Sequence, residues 1–143
     1  MFSKILLASD GSPLSAKAAD AAIAYARESG AELIVLSVAV TYLLLPEVGA
    51  MVDLNTVEEA TRAQAQASIE PVAAAAAREH VRCELVVRHA PDPWREIVAL
   101  AEERGCDCIW MASHGRRGLD RLLLGSQTQR VLAHSTIPVM VYR

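Results

Sequence analysis

Short apolar runs alternate with helical stretches along this whole chain, and that alternation narrows the fold more than any other feature. Lys4-Ile5-Leu6-Leu7-Ala8-Ser9 closes on Asp10-Gly11-Ser12-Pro13. A continuous apolar run bounded by turn residues reads as a strand covered on both faces. Ser12 is placed to cap a helix with Pro13 at its first position. Leu14, Ala18, Ala21, Ala22, Tyr25 and Ala26 then fall on one helical stripe, and Gly30 ends it. The second strand covers residues 32–40, with Leu33-Ile34-Val35-Leu36 at its heart.

Residues 41–56 break the rhythm. Pro46, Gly49, Asp53 and Asn55 predict a loop, while Leu43-Leu44-Leu45 and Met51-Val52 make it an apolar, mobile flap that covers something. A second helix is predicted over about residues 57–80, and Pro71 is expected to kink it or divide it in two. The third strand is residues 82–89. Asp92-Pro93 repeats the cap-then-proline start, with Asp92 as N-cap, and that helix ends at Gly105. Residues 107–112 form the fourth strand, a glycine-bearing loop follows, Ser126–His134 is a short helix, and residues 138–142 are the fifth strand.

The order β-α-β-α-β-α-β-α-β implies an α/β fold with a parallel sheet and helices on both faces. Right-handed crossovers leave two doubly wound strand orders, 3-2-1-4-5 and 2-1-3-4-5. Ligands of open parallel sheets sit at the carboxyl ends of strands where the order reverses. In the first order, strands one and four meet there, and their ends carry Asp10 and Met111-Ala112-Ser113-His114-Gly115.

With 143 residues the chain makes one domain, large enough to fold without disulfide or metal staples. Its three cysteines include Cys106 and Cys108 in a C-x-C arrangement, which matches neither redox nor zinc spacing. Cys108 lies in an apolar run and reads as a buried core thiol. The net charge of −3 and 4% aromatic content supply neither a field nor a stacking surface for nucleic acid, nor a basic face for an anionic membrane. The charge is uneven, however. Residues 1–110 carry 9 basic and 16 acidic groups, net −7, and residues 111–143 carry 5 basic and one acidic group, net +4. That favours a local site for a small anion. The chain opens straight into a strand pattern with no signal peptide. Its longest apolar stretch, residues 33–45, is 13 residues long, against the ~20 a bilayer needs. A cytoplasmic location is expected.

Glycine permits close approach of backbone N–H groups to an anion, and Gly125-Ser126 opens a helix whose N-terminal amides carry partial positive charge. Gly115 and Gly125-Ser126-Gln127-Thr128 therefore read as two halves of a phosphate cradle. Ser126 and Thr128 add hydroxyl donors, and Arg116 and Arg117 are placed to reach terminal phosphates. The competing reading makes Gly115, Gly118 and Gly125 turn glycines and Ser126 an N-cap. Asp10 can accept from ribose hydroxyls or hold Mg²⁺ through water, the alternative being a cap for the first helix. No acidic partner can be placed beside His114, so it reads as a loop residue that stacks or hydrogen-bonds locally, and no catalytic residue is assigned.

The stretch from Asp107 through Ala112-Ser113-His114-Gly115-Arg116-Arg117-Gly118-Leu119 and Gly125-Ser126 to Pro138-Val139-Met140-Val141 resembles the universal stress protein family. Nucleotide-binding members of that family carry G-x2-G-x9-G-[ST]. This chain matches at Gly115, Gly125 and Ser126 and departs at the first glycine, which is Ala112. If that glycine serves close packing, alanine is tolerable; if it needs positive φ, alanine opposes binding. The resemblance implies an α/β/α sandwich of order 3-2-1-4-5, a homodimer, and ATP or another adenine nucleotide with Mg²⁺ at the switch point. By position, Ala8, Ser9 and Asp10 would line the ribose and adenine side. Val38 would offer backbone groups to adenine, and Met111, Ala112, Ser113, His114 and Gly115 would hold phosphates with Gly125, Ser126, Gln127 and Thr128.

Two functional classes follow. One is a stress-response regulatory protein whose nucleotide changes its choice of protein partner. The other is an enzyme that splits ATP to adenylate a substrate, but no second domain or glycine-rich loop after strand one supports it. A nucleotide-free dimeric interaction module is the third alternative. In the order 3-2-1-4-5, Val139, Met140, Val141 and Tyr142 form an apolar outer edge, which predicts a homodimer paired along that strand.

Overall fold

The computed structural model describes residues 1–40, 53–115 and 123–143. Five parallel strands, β1 (Lys4–Ala8), β2 (Glu32–Val40), β3 (Cys83–Ala90), β4 (Cys108–Ala112) and β5 (Val139–Tyr142), form one sheet ordered β3-β2-β1-β4-β5. Among the described residues, four helices connect them: α1 (Pro13–Ser29), α2 (Leu54–Arg78), α3 (Pro93–Glu103) and α4 (Ser126–His134). The strand order reverses between β2-β1 and β4-β5, so the expected α/β fold and the first of the two predicted orders are the ones formed.

The central strands are apolar throughout because the sheet divides two cores. Ile5 and Leu7 of β1 join Leu33, Val35, Ala22 and Ile69 against α1 and α2. Leu6 joins Ile34, Ile97, Leu100, Ile109 and Val131 against α3 and α4. Alternate residues of one strand thus feed opposite cores, as the pleat requires. Cys106 and Cys108 are buried among these side chains, and burial pushes the Cys106 thiol up to about 11. No helix among the described residues is long and apolar enough to cross a membrane.

Helix starts and stops follow the local signals with instructive exceptions. Ser12 accepts the Ser15 N–H at 3.3 Å, and Gly30 closes α1 in the left-handed conformation at φ 74°. The buried stripe of α1 is rotated from the expected one. Ala18, Ala22 and Ala26 face inward as predicted, but Ser15, Ala19 and Ile23 accompany them, and Leu14, Ala21 and Tyr25 sit at the flanks. Ser15 can turn inward because its hydroxyl donates to the Ser12 carbonyl at 2.9 Å and receives the Ser9 hydroxyl at 3.3 Å.

Helix α2 begins three residues earlier than predicted, at Leu54. Asp53, expected within the flap, is its N-cap and accepts from the Asn55 N–H at 3.1 Å and the Thr56 hydroxyl at 2.8 Å. The rest of the predicted flap, residues 41–52, lies outside the described residues. Pro71 does not divide the helix, which runs 25 residues as one element. The carbonyl that Pro71 cannot serve belongs to Ala67, an exposed residue whose oxygen water can satisfy, while Ile69 and Val72 beside it are buried.

Asp107 was expected to open β4 but works as an anchor instead. Its carboxylate accepts from the Ser3 N–H at 2.8 Å, the Ser3 hydroxyl at 2.9 Å and the Lys4 N–H at 3.0 Å, tying the loop before β4 to the start of β1. Partial burial works against ionisation, but these donors outweigh it and hold the carboxyl below the usual aspartate range. With the folded pKa below the unfolded one, this contribution is complete above about pH 4 and is lost as pH falls through the folded value. Asp107→Asn is expected to cost about 1 kcal/mol at pH 7, reduced by solvent screening from the value of buried bonds. The difference from wild type should shrink in urea titrations as pH falls below about 4.

Candidate functional site

A cleft of about 470 Å³ opens at the carboxyl ends of the strands, where the order reverses. Its size suits a small organic ligand. The β2 and α3 side contributes apolar groups only: Leu36, Val38, Val40, Pro93 and Ile97, with Pro91 before the helix. The last β1–β2 pair in the ladder is Ala8 with Leu36, so Val38 and Val40 extend past the end of β1. The β4 and α4 side contributes Ala112, His114, Gly115, Gly125, Ser126, Gln127 and Thr128, and Ala8, Ser9 and Asp10 lie at the end of β1.

Gly115 and Gly125 are glycines because of what touches them. A Cβ on Gly115 would lie 2.5 Å from Asp10 Oδ2, so a side chain there would displace the Asp10 carboxylate. The same Asp10 carboxylate accepts the Ser12 N–H through Oδ1 at 2.9 Å, so one side chain orients the start of α1 and packs on the end of β4. Gly125 donates its N–H to the Ser113 carbonyl at 2.7 Å, and a Cβ there would sit 3.1 Å from that oxygen. Neither glycine has positive φ; Gly11, in the turn after Asp10, does, at 76°.

Ala112 is the departure from the glycine motif, and the backbone decides its consequence. It is the last residue of β4, paired with Tyr142, and 8% exposed. Among the described residues the positive-φ position that is not glycine is His80 alone. Position 112 is extended strand, where alanine is unstrained, and the residue lines the cleft.

Several expected roles change in three dimensions. Thr128 is 2% exposed and donates its hydroxyl to the Ala112 carbonyl at 3.0 Å, so that proton fastens α4 to β4 and is not on offer to a ligand. Gly125, not Ser126, occupies the N-cap of α4, and Ser126 is its first helical residue. By helix geometry the amides of that first turn have no intrahelical partner. Ser113 is buried and does not line the cleft; its Oγ lies 2.9 Å from His114 Nδ1, and its N–H donates to the Tyr142 carbonyl at 2.7 Å. His114 makes that local bond, and its Nε2 is buried with no partner among the described residues. Asp92 stands at the N-cap of α3 without capping it. Its carboxylate pairs with Arg95 at 3.6 Å and Arg130 at 3.7 Å, and the Trp94 N–H is taken by Gln127 Oε1 at 2.9 Å. Gln127 caps α3 from another helix because the two helix starts converge at the cleft.

Ser15, Leu36, Val40, Pro91, Pro93 and Ile97 line the cleft without having been singled out. The Asp92-Pro93 start already placed α3 after the carboxyl end of a strand, the one sequence signal for that wall. Arg116, Arg117 and Gly118 lie outside the described residues. Among the described residues no group of three His, Cys, Asp or Glu side chains is arranged to hold a metal ion.

The model of the universal stress protein family matches residues 1–143. Universal stress protein YxiE of Bacillus subtilis is 34% identical over 149 residues, covering 100% of both chains. The solved structure of MJ0577, a universal stress protein of Methanocaldococcus jannaschii, superimposes with a TM-score of 0.85 at 28% identity, covering 99% of this chain and 96% of that one. A universal stress protein from Archaeoglobus fulgidus, solved in complex with dAMP, superimposes with a TM-score of 0.68 at 19% identity, covering 100% of this chain and 98% of that one.

Proposed function

The chain belongs to the universal stress protein family, and from that premise we propose that it is a regulatory protein that binds an adenine nucleotide, ATP with Mg²⁺ foremost, and changes its protein contacts with occupancy. The observation that carries this reading is the pair of close approaches, Gly115 on Asp10 and Gly125 on Ser113, which bring bare backbone to the cleft beside the first turn of α4. An apolar wall of Leu36, Val38, Val40 and Ile97 faces that backbone. A planar base and a phosphate tail need such a division. The dAMP held by the Archaeoglobus relative is a ligand of the same class.

In this reading Val38 and Val40 lie along the base, and Ala8, Ser9 and Asp10 meet the ribose. The backbone of 111–115 and of 125–127 holds the phosphates, with Arg116 and Arg117 as further donors. The phosphates bring Mg²⁺ as their counter-ion. Catalytic turnover is not part of the function. Rapid phosphoryl transfer needs a positioned nucleophile and concentrated charge stabilisation, and no residue of the cleft is assigned as nucleophile or base. The protein acts as a homodimer joined along β5, in the cytoplasm.

Calorimetry with ATP and Mg²⁺ tests the reading. Binding by wild type is expected, with Asp10→Ala weakening it by about 1.5–3 kcal/mol through loss of charge-assisted bonds. Turnover should stay below about 1 s⁻¹, the low end of enzymes. No heat at millimolar ATP would leave the nucleotide-free module, and faster turnover would make the protein an enzyme.

A further inference from the structure

We propose that Trp94 and His134 form a clamp that positions the α3 wall of the cleft, and that a proton on His134 tightens it. Trp94, in the first turn of α3, touches both ends of α4. Its N–H donates to Gln127 Oε1 at 2.9 Å, near the start of that helix. Its indole stacks on the imidazole of His134, the last residue, with ring centroids 4.3 Å apart and planes at 30°. Pro93 and Ile97 of α3 and Ser126, Gln127 and Thr128 of α4 all line the cleft. The spacing of these two helices therefore sets its width. That link to ligand affinity rests on the nucleotide reading above; the clamp itself does not.

The protonation site follows from the hydrogen bond that His134 makes. Its Nδ1 lies 2.8 Å from the Arg130 carbonyl oxygen. A carbonyl only accepts, so Nδ1 carries hydrogen and Nε2 is the atom that gains the proton. The resulting cation faces an indole ring and stands at the carbonyl end of α4, and both attract it. The charged groups bordering the stack are Asp92 and Arg95 on the α3 side and Arg130 on α4. Arg95 lies 4.8 Å from the Trp94 ring centroid, and Asp92 pairs with both arginines. The arginine side chains are 68% and 52% exposed, so solvent screens their repulsion, whereas the ring and carbonyl contacts are direct. Protonation thus strengthens the stack and, through it, the Trp94–Gln127 bond.

Tryptophan fluorescence and hydrogen exchange at the Trp94 amide, followed from pH 5 to 8, test the clamp in wild type, His134→Gln and Trp94→Phe. Wild-type emission should fall on acidification, and His134→Gln should lack that fall. Relative to His134→Gln, the Trp94 amide of wild type should gain about threefold protection at the acid end, the size of an exposed cation–π contact. Trp94→Phe keeps a ring and should retain part of this gain at its own position-94 amide. The wild-type to His134→Gln ratio of ATP affinities, in which the titration of ATP cancels, should rise by a similar factor. A flat emission profile or a pH-independent amide ratio overturns the clamp. An amide response with ATP bound at a pH-independent ratio overturns its role in positioning the cleft. An amide response with no ATP binding by either protein upholds the clamp and defeats the nucleotide reading instead.

Discussion

Gly125→Val is expected to lower ATP affinity by at least about tenfold, the larger part of what one lost charge-assisted contact costs. The Cβ alone would lie 3.1 Å from the Ser113 carbonyl and 3.5 Å from the His114 Cα, and both are backbone atoms that cannot swing aside. The two further methyl groups of valine add to the crowding. Relief comes by moving the start of α4 away from the end of β4. That stretches the Gly125–Ser113 hydrogen bond, now 2.7 Å, and the Thr128–Ala112 bond, now 3.0 Å. Crowding of this kind costs about 1–3 kcal/mol of stability, which a domain of this size survives. Calorimetry with circular dichroism separates the outcomes. Unchanged ATP binding in a folded Gly125→Val protein would place the nucleotide elsewhere.

Wild-type protein is expected to sediment as a dimer at tens of micromolar, and Val141→Pro as a folded monomer. The two edges of the sheet differ in how they are guarded. Beside β3, Arg88 pairs with Glu96 at 3.2 Å and Glu103 at 2.6 Å, and Arg104 pairs with Glu84 at 2.7 Å. Charged side chains discourage strand addition there. At β5 the residues are Val139, Met140, Val141 and Tyr142, with Met140 44% exposed. The carbonyls of Pro138 and Tyr142 accept from Ile109 and Ser113, so the even-numbered residues of β5 face β4. By the alternation of a parallel ladder, Val139 and Val141 turn their N–H and C=O groups outward. A second β5, antiparallel about a two-fold axis, would satisfy both rows. Proline at 141 removes an outward donor and leaves the β4 ladder intact, which is the edge position where sheets tolerate it. Removing residues 139–143 strips the cover from β4 as well and should give monomers or insoluble protein. A wild-type monomer at that concentration would defeat the dimer.

Much of the architecture was legible before any coordinates, and for local reasons. Apolar runs four to nine residues long, the Ser12-Pro13 start and the Gly30 stop depend on neighbours within a few positions, and those neighbours are adjacent in the chain. The alternation of strand and helix left two sheet orders, and choosing between them took the resemblance to a family. Boundaries failed where a distant partner mattered. The Asp107 carboxylate takes its donors from Ser3 and Lys4, over a hundred positions away, while the Asp107 N–H still donates to the Lys4 carbonyl. The stripe of α1 turned because Ser9 gave Ser15 a buried partner.

The candidate site divides in the same way. Sequence by itself determined that strands one and four end in polar, glycine-bearing turns, because binary patterning and helix caps are written locally; that these ends meet at the reversal of strand order belongs to the sheet order formed. Only the tertiary structure decided what each residue does there. Gly115 packs against the Asp10 carboxylate and Gly125 against the Ser113 carbonyl, and Ala112 is unstrained because its backbone is extended. The Thr128 hydroxyl goes to β4, and Gln127 caps a helix other than its own. Each of these is a contact between groups brought together by packing, and the hydrogen-bonding capacity of a hydroxyl or an amide is the same whichever partner it finds. A sequence records that capacity; the fold assigns the partner.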